Sequence, residues 1–211
     1  EIWLGLVGSE MCIRDRALKT QKKIQLPFSE SEMFAALSSD NFENSFTGVR
    51  DRFIIDLFYT TGIRRIELIQ IKISDFNVSK KQIKVLGKRN KERIIPLIDS
   101  TINLFDKYIS FRSELKSYQE SLFLTIKGEP VYEKLIYRII TKYFDNISTK
   151  VKKSPHIIRH SFATHLLNNG ADLNSVKDLL GHSSLAATQV YTNRSIDEIK
   201  KVFAKSHPRN I

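Results

Sequence analysis

HIIRHSFATHLLNNG, residues 156–170, is the stretch on which the reading of this chain turns. Ser154-Pro155 stands just before it, and proline suits the first turn of a helix, where its missing N–H costs nothing. Gly170 stands at the other end as a C-terminal stop. Between them His156 and Arg159 are three residues apart, so a helix presents one imidazole and one guanidinium on a shared face. Ile158, Phe162 and Leu166 share another face that packs inward. Arginine holds phosphate bidentately and stays charged, and histidine passes a proton near neutral pH. The pairing suits phosphoryl chemistry without a metal. Taken alone, it also fits an ordinary polar helix face. His160 and His165 are read as structural.

Upstream, Thr61-Gly62-Ile63-Arg64-Arg65-Ile66-Glu67-Leu68 reads as a glycine corner that places Arg64 at a helix start, where anions are favoured. Glu67, three residues on, is placed to orient Arg64. A plain helix corner is the alternative. Gly87-Lys88-Arg89-Asn90-Lys91-Glu92-Arg93 puts four cations at a hairpin tip that can reach a backbone groove or remain a solvated turn. Downstream, Leu179-Leu180-Gly181-His182-Ser183-Ser184 precedes Tyr191. Tyrosine ionises near pH 10 in water, so attack by a phenolate on phosphorus needs cationic neighbours.

The remaining elements are set by spacing. Ser29 with Glu32 is a capping box ahead of Met33, Phe34 and Leu37. Phe53, Ile54, Leu57 and Phe58 stripe a helix from about Val49 to Thr60, and a helical turn comes next at Arg64–Ile69. Gln82–Leu86 and Arg93–Leu97 form a hairpin, with Pro96 marking the second strand as short or at an edge. Asp99-Ser100-Thr101 caps a helix to about Ser117. Leu122–Thr125 is a candidate short strand. Val131–Ile147 is amphipathic through Leu135, Ile136, Ile139, Ile140 and Phe144. Helices are expected at Leu173–Leu180 and at Ile196–Lys205. The fold class is α+β, mainly α-helical, with a small antiparallel β-sheet.

The chain has 211 residues, 41% of them hydrophobic, enough to bury a core, and a net charge of +11. Such an excess points to polyanionic partners, nucleic acid above all, although a solvated basic surface also accounts for it. The first 16 residues, EIWLGLVGSEMCIRDR, hold the single Trp and the single Cys and lack the Lys/Ile/Phe/Ser bias of residues 17–211. They are read as foreign to the domain. Without them 32 basic and 20 acidic side chains leave +12 in the remainder. One cysteine, Cys12, excludes internal disulfides and cysteine-based zinc sites and fits a reducing, cytoplasmic setting. No apolar run approaches the roughly 20 residues that span a bilayer, and Ile2–Val7 is shorter than a signal-peptide core of ~7–15 residues.

Arg64, Lys88, His156, Arg159, His182 and Tyr191 occur in that order. The segments TGIRRIEL, GKRNKER, HIIRHSFATHLLNNG and LLGHSSLAATQVYTN resemble the signature boxes of the tyrosine recombinase, or phage integrase, family. The likeness is to its bacterial Xer-type members, and it extends from about Lys23 to the last residue, Ile211, including His207-Pro208-Arg209. The resemblance implies that Arg64 and Arg159 clamp the scissile phosphate of double-stranded DNA and that His182 adds a hydrogen bond. Tyr191 would attack phosphorus to form a 3′-phosphotyrosyl bond. Lys88 would protonate the leaving 5′-oxygen, His156 would exchange a proton with the tyrosine, and Glu67 would support Arg64. Arg65, Arg89 and Lys91 are expected to touch DNA. One phosphodiester is exchanged for another, so neither cofactor nor metal is implied.

The resemblance also implies that the Ile196–Lys205 helix, apolar along Ile196, Ile199, Val202 and Phe203, docks on a neighbouring protomer in a tetramer of itself or of a paralogous recombinase. Packing on its own domain is the alternative. Residues 17–211 are read as a catalytic domain without the N-terminal DNA-clasping domain that family members usually carry. Asn193 stands where Xer-type members often have histidine. Two other readings stay open: a type IB topoisomerase-like enzyme, and a DNA-binding fragment without turnover.

Overall fold

The computed structural model describes residues 26–87, 92–115, 117–149, 152–181 and 205–210. Its centre is α2 (Phe46–Thr61), a helix buried on nearly every side. A helix of that kind sits inside a core instead of against one, and α1 (Glu30–Leu37), α4 (Asp99–Ser113), α5 (Glu133–Phe144) and α6 (Pro155–Asn168) all pack on it. Its buried polar side chains are accordingly paired. Arg50 grips Asp51 at 2.7 Å, and Asp56 accepts from Thr101 Oγ1 at 2.7 Å. Phe53 anchors an aromatic cluster with Phe76, Phe105, Tyr108 and Phe123.

The α1 capping box forms as expected: Ser29 Oγ accepts from the Glu32 N–H, and the Glu32 carboxylate accepts from the Ser29 N–H. α2 begins earlier than the apolar stripe implies. Ser45 is its N-cap, accepting from Gly48, and Phe46 and Gly48 occupy the first turn. Gly48 hides the start from a hydrophobicity reading, yet a Cβ there would stand 2.2 Å from the Glu43 carbonyl oxygen.

The sheet is antiparallel in the order β1 (Phe76–Asn77), β2 (Gln82–Leu86), β3 (Glu92–Pro96). β1 is too short to show in the sequence. Pro96 lies on an edge strand, as read. Ile83 and Val85 of β2 face inward and pair with Ile95 and Arg93 of β3, so Arg93 also points into the molecule.

Other expected elements differ too. α4 ends at Ser113, and its N-cap is Ile98, with Asp99 inside the first turn and Thr101 drawn to Asp56. α5 is shorter at both ends than Val131–Ile147. Leu122–Thr125 is not a continuous strand: it holds one isolated bridge, Leu124 to Pro130, next to a second, Ser121 to Lys72, and the Leu122 N–H donates to the Ile71 carbonyl at 2.8 Å. Gly128 makes a left-handed turn within a few residues, and Pro130 has no N–H with which to extend a ladder.

α6 and α7 (Leu173–Leu180) close the described helical part, with Gly181 left-handed at the C-cap of α7. Residues 205–210 return to the domain. His207, 1% exposed, lies against the rings of Tyr59 and Phe162, and Arg209 pairs with Asp56. The expected helix at Ile196–Lys205 falls, except for Lys205, outside the described residues. Among the described residues no helix is long and apolar enough to cross a membrane.

Candidate active site

The corner between α2 and α3 (Arg65–Gln70) is made by Gly62, left-handed at φ 59. A Cβ there would stand 2.4 Å from Phe162 Cδ1, so only glycine lets the end of α2 close onto α6. Two residues on, Arg64 is the N-cap of α3 in extended conformation. The Glu67 carboxylate reaches back to the Arg64 N–H at 2.7 Å and accepts from Arg64 Nη1 at 2.8 Å. Arg64 Nη2 donates to the Gly181 carbonyl at 3.1 Å.

Arg159, from the first half of α6, comes to the same corner. Its Nη1 donates to the Gly62 carbonyl and its Nη2 to the Leu180 carbonyl, the latter at 2.7 Å. A third arginine completes the arrangement. Arg93 Nη1 and Nη2 each meet a Glu67 oxygen at 2.8 Å, and Nε donates to the Leu179 carbonyl at 3.1 Å. Three guanidinium groups from three elements thus bind three successive carbonyls at the C-terminal end of α7. Those oxygens lack intrahelical partners and carry the negative end of the helix dipole.

The electrostatics follow from this packing. Burial pushes the Glu67 carboxyl up, but the hydrogen bonds and charge of Arg93 and the two hydrogen bonds from Arg64 outweigh it and hold it at about 2. Burial, then the charges of Arg64 and Arg93, bring Arg159 down to about 10 against the pull of Glu67, which still leaves it a cation at neutral pH. His156 is exposed at the rim of α6. Partial desolvation, then the charges of Arg65, Arg159 and Lys152, hold its imidazole below the ordinary value, so it is neutral near pH 7.

Arg64, Glu67 and Arg159 therefore meet, and His156 stands within reach of the same positive field. Lys88, Arg89, Lys91, His182 and Tyr191 lie outside the described residues. Arg65 pairs with Glu133 at 3.0 Å and lies over the Tyr137 ring of α5. Exposed Lys134 and Arg138 continue that basic face beside Tyr132. His165 is structural, as read: it is buried, with Nδ1 2.9 Å from the Tyr59 hydroxyl. Sequence reasoning counted Arg93 among the hairpin cations and missed its place in the site. The available signal was its alternation with Ile95, which puts a cation at an inward strand position.

The arrangement suits a tetrahedral anion. Two guanidinium groups are fixed side by side at one corner, with N–H donors that meet no acceptor among the described residues and a buried carboxylate behind them that offsets part of their charge. The model of the phage integrase family matches residues 31–198. Tyrosine recombinase XerD of Staphylococcus haemolyticus is 42% identical over 194 residues, covering 90% of this chain and 65% of that protein. Its counterpart in Staphylococcus aureus strain N315 is 39% identical over 196 residues, with the same coverage. A crystal structure of XerH site-specific recombinase bound to difH substrate, a pre-cleavage complex, superposes with a TM-score of 0.69 at 28% identity, over 87% of this chain and 56% of that one. The chain thus spans somewhat less than two thirds of the length of these relatives. A match over that much of the sequence, joined to an arginine corner of this geometry, places it: the chain belongs to the phage integrase family, among the Xer-type tyrosine recombinases.

Proposed function

We propose that this chain carries the catalytic domain, residues 17–211, of a site-specific DNA recombinase that cuts and rejoins duplex DNA without ATP or metal. The observation that carries the reading is the convergence of Arg64 and Arg159 on one corner, backed by Glu67. A scissile phosphate seated there places its non-bridging oxygens against guanidinium donors, which bind more tightly as charge builds in the transition state. Tyr191 Oη then attacks phosphorus, the P–O5′ bond breaks, and the 5′-oxygen leaves with a proton from Lys88. His182 donates to the same phosphate, and neutral His156 takes the phenol proton directly or through water. A 5′-hydroxyl reverses the sequence on a new partner strand. Each step exchanges one phosphate diester for another, which is why no energy source is needed.

Arg65, together with Arg89 and Lys91 of the basic hairpin sequence, neutralises the DNA backbone, and the net charge of +11 supplies non-specific attraction. Assembly is a tetramer on DNA, with itself or a paralogous recombinase, in the cytoplasm. That reading rests on family membership and on the apolar stripe at Ile196, Ile199, Val202 and Phe203.

The test is a nicked suicide duplex, drawn from random-sequence pools and from source DNA, incubated with wild type and with Tyr191→Phe. A protein band attached to DNA on a denaturing gel, absent only in the variant, is the expected outcome. Covalent attachment that survives in Tyr191→Phe removes Tyr191 as nucleophile. DNA retardation in a native gel with no covalent band at any protein concentration leaves a binding domain without turnover.

A further inference from the structure

Arg93 is 6% exposed. A cation at that depth is stable only when its donors are met, and Arg93 meets them on two fronts. Its forked Nη pair takes both oxygens of Glu67, and its Nε takes the Leu179 carbonyl. The same Glu67 carboxylate holds Arg64 by backbone and side chain. Gly181, where α7 ends and from which the chain runs on to His182 and Tyr191, packs on Arg93 as well. A Cβ at Gly181 would stand 3.2 Å from Arg93 Cδ.

We propose that Arg93 is a positioning residue: through Glu67 it fixes the plane of Arg64, and through Leu179 and Gly181 it fixes the end of α7, so that one buried side chain sets both the phosphate clamp and the point of departure of the nucleophile-bearing stretch. The proposal rests on the recombinase reading of the site. Arginine is required because a planar fork spans both carboxylate oxygens while its Nε reaches a third acceptor. An ammonium keeps the charge but cannot hold that geometry.

Arg93→Lys therefore preserves charge and releases the Glu67 carboxylate to rotate. On the suicide duplex, the rate of covalent attachment at saturating DNA is expected to fall by roughly 10- to 100-fold, as for a misaligned catalytic group, while DNA affinity stays within about threefold of wild type, since buried Arg93 makes no phosphate contact. A second substrate carries a methylphosphonate at the scissile position, which removes the charge that Arg64 stabilises. There the defect shrinks if Arg93 acts through the clamp. A defect of equal size on both substrates, or a variant as fast as wild type, overturns the proposal.

A measurement without DNA separates this from the recombinase reading itself. In the 15N-edited spectrum of arginine Nε–H groups, wild type shows Arg64 responding to added inorganic phosphate. In Arg93→Lys that response weakens while the signal of Arg112 on α4, whose Nε donates to the Leu122 carbonyl, stays in place as a fold control. An unchanged Arg64 response overturns the proposal even if wild type never attaches to DNA, and loss of attachment by wild type sinks only the recombinase reading. Should Arg93→Lys lose the Arg112 signal, Glu67→Gln cuts the same link from the other side. There a weakened Arg64 response together with a shifted Arg93 signal supports the proposal, and an unchanged Arg64 response overturns it.

Discussion

A guanidinium grips phosphate well only when its plane is fixed before the phosphate arrives, and at Arg64 a carboxylate three residues along the chain does the fixing. That pair was legible in the sequence because its geometry is local: an N-cap and its N3 residue meet in any helix start. The same locality made His156 and Arg159 readable as neighbours on one helix. Arg93 was not readable as their partner, because it reaches Glu67 only after the sheet docks on α3 and α7. His156 gives the prediction at this scale. Desolvation first, then Arg65, Arg159 and Lys152, depress its titration, so its NMR midpoint is expected below 6.5. Arg65→Ala removes one of those charges and should raise the midpoint. A wild-type midpoint above 6.5, or no rise in the variant, contradicts that assignment of causes.

Among the elements, α6 and α7 were readable nearly to the residue, since Pro155, Gly170 and Gly181 punctuate them. The start of α2 was hidden by Gly48, and β1 by having two residues. What no pattern announces is a close approach between elements. Gly62 is an example: the turn signal is plain, but the contact with Phe162 belongs to the packing of α2 on α6. Gly62→Ala meets both a left-handed backbone and an occupied volume. It is expected to cost at least about 2 kcal/mol, from the left-handed penalty and overpacking together, read as a lowered urea midpoint. A variant as stable as wild type would mean that the corner can be rebuilt without glycine.

For the whole molecule, the charge balance that suggested nucleic acid also shapes stability. The Glu67 carboxyl sits at about 2 when folded, against an ordinary 4.5. The folded protein therefore binds fewer protons there than the unfolded chain, and the ionised carboxylate stabilises the fold fully above about pH 5. That contribution, on the order of 3 kcal/mol at 1.36 kcal/mol per unit, is lost as pH falls toward 2. Thermal unfolding tracked from pH 7 to pH 2 should show the decline, and Glu67→Gln should flatten it. An unchanged slope in the variant would assign acid sensitivity to other carboxylates. The carbonyls at the end of α7 have a consequence for the encounter with DNA. They accept hydrogen bonds from Arg64 and Arg159 within the fold itself, which restrains both side chains. The side-chain freedom of two arginines, about 2 kcal/mol each, is surrendered when the chain folds and not when it meets a phosphate. Long flexible cations left waving in water would have to give it up at every encounter, and binding would be weaker by that amount.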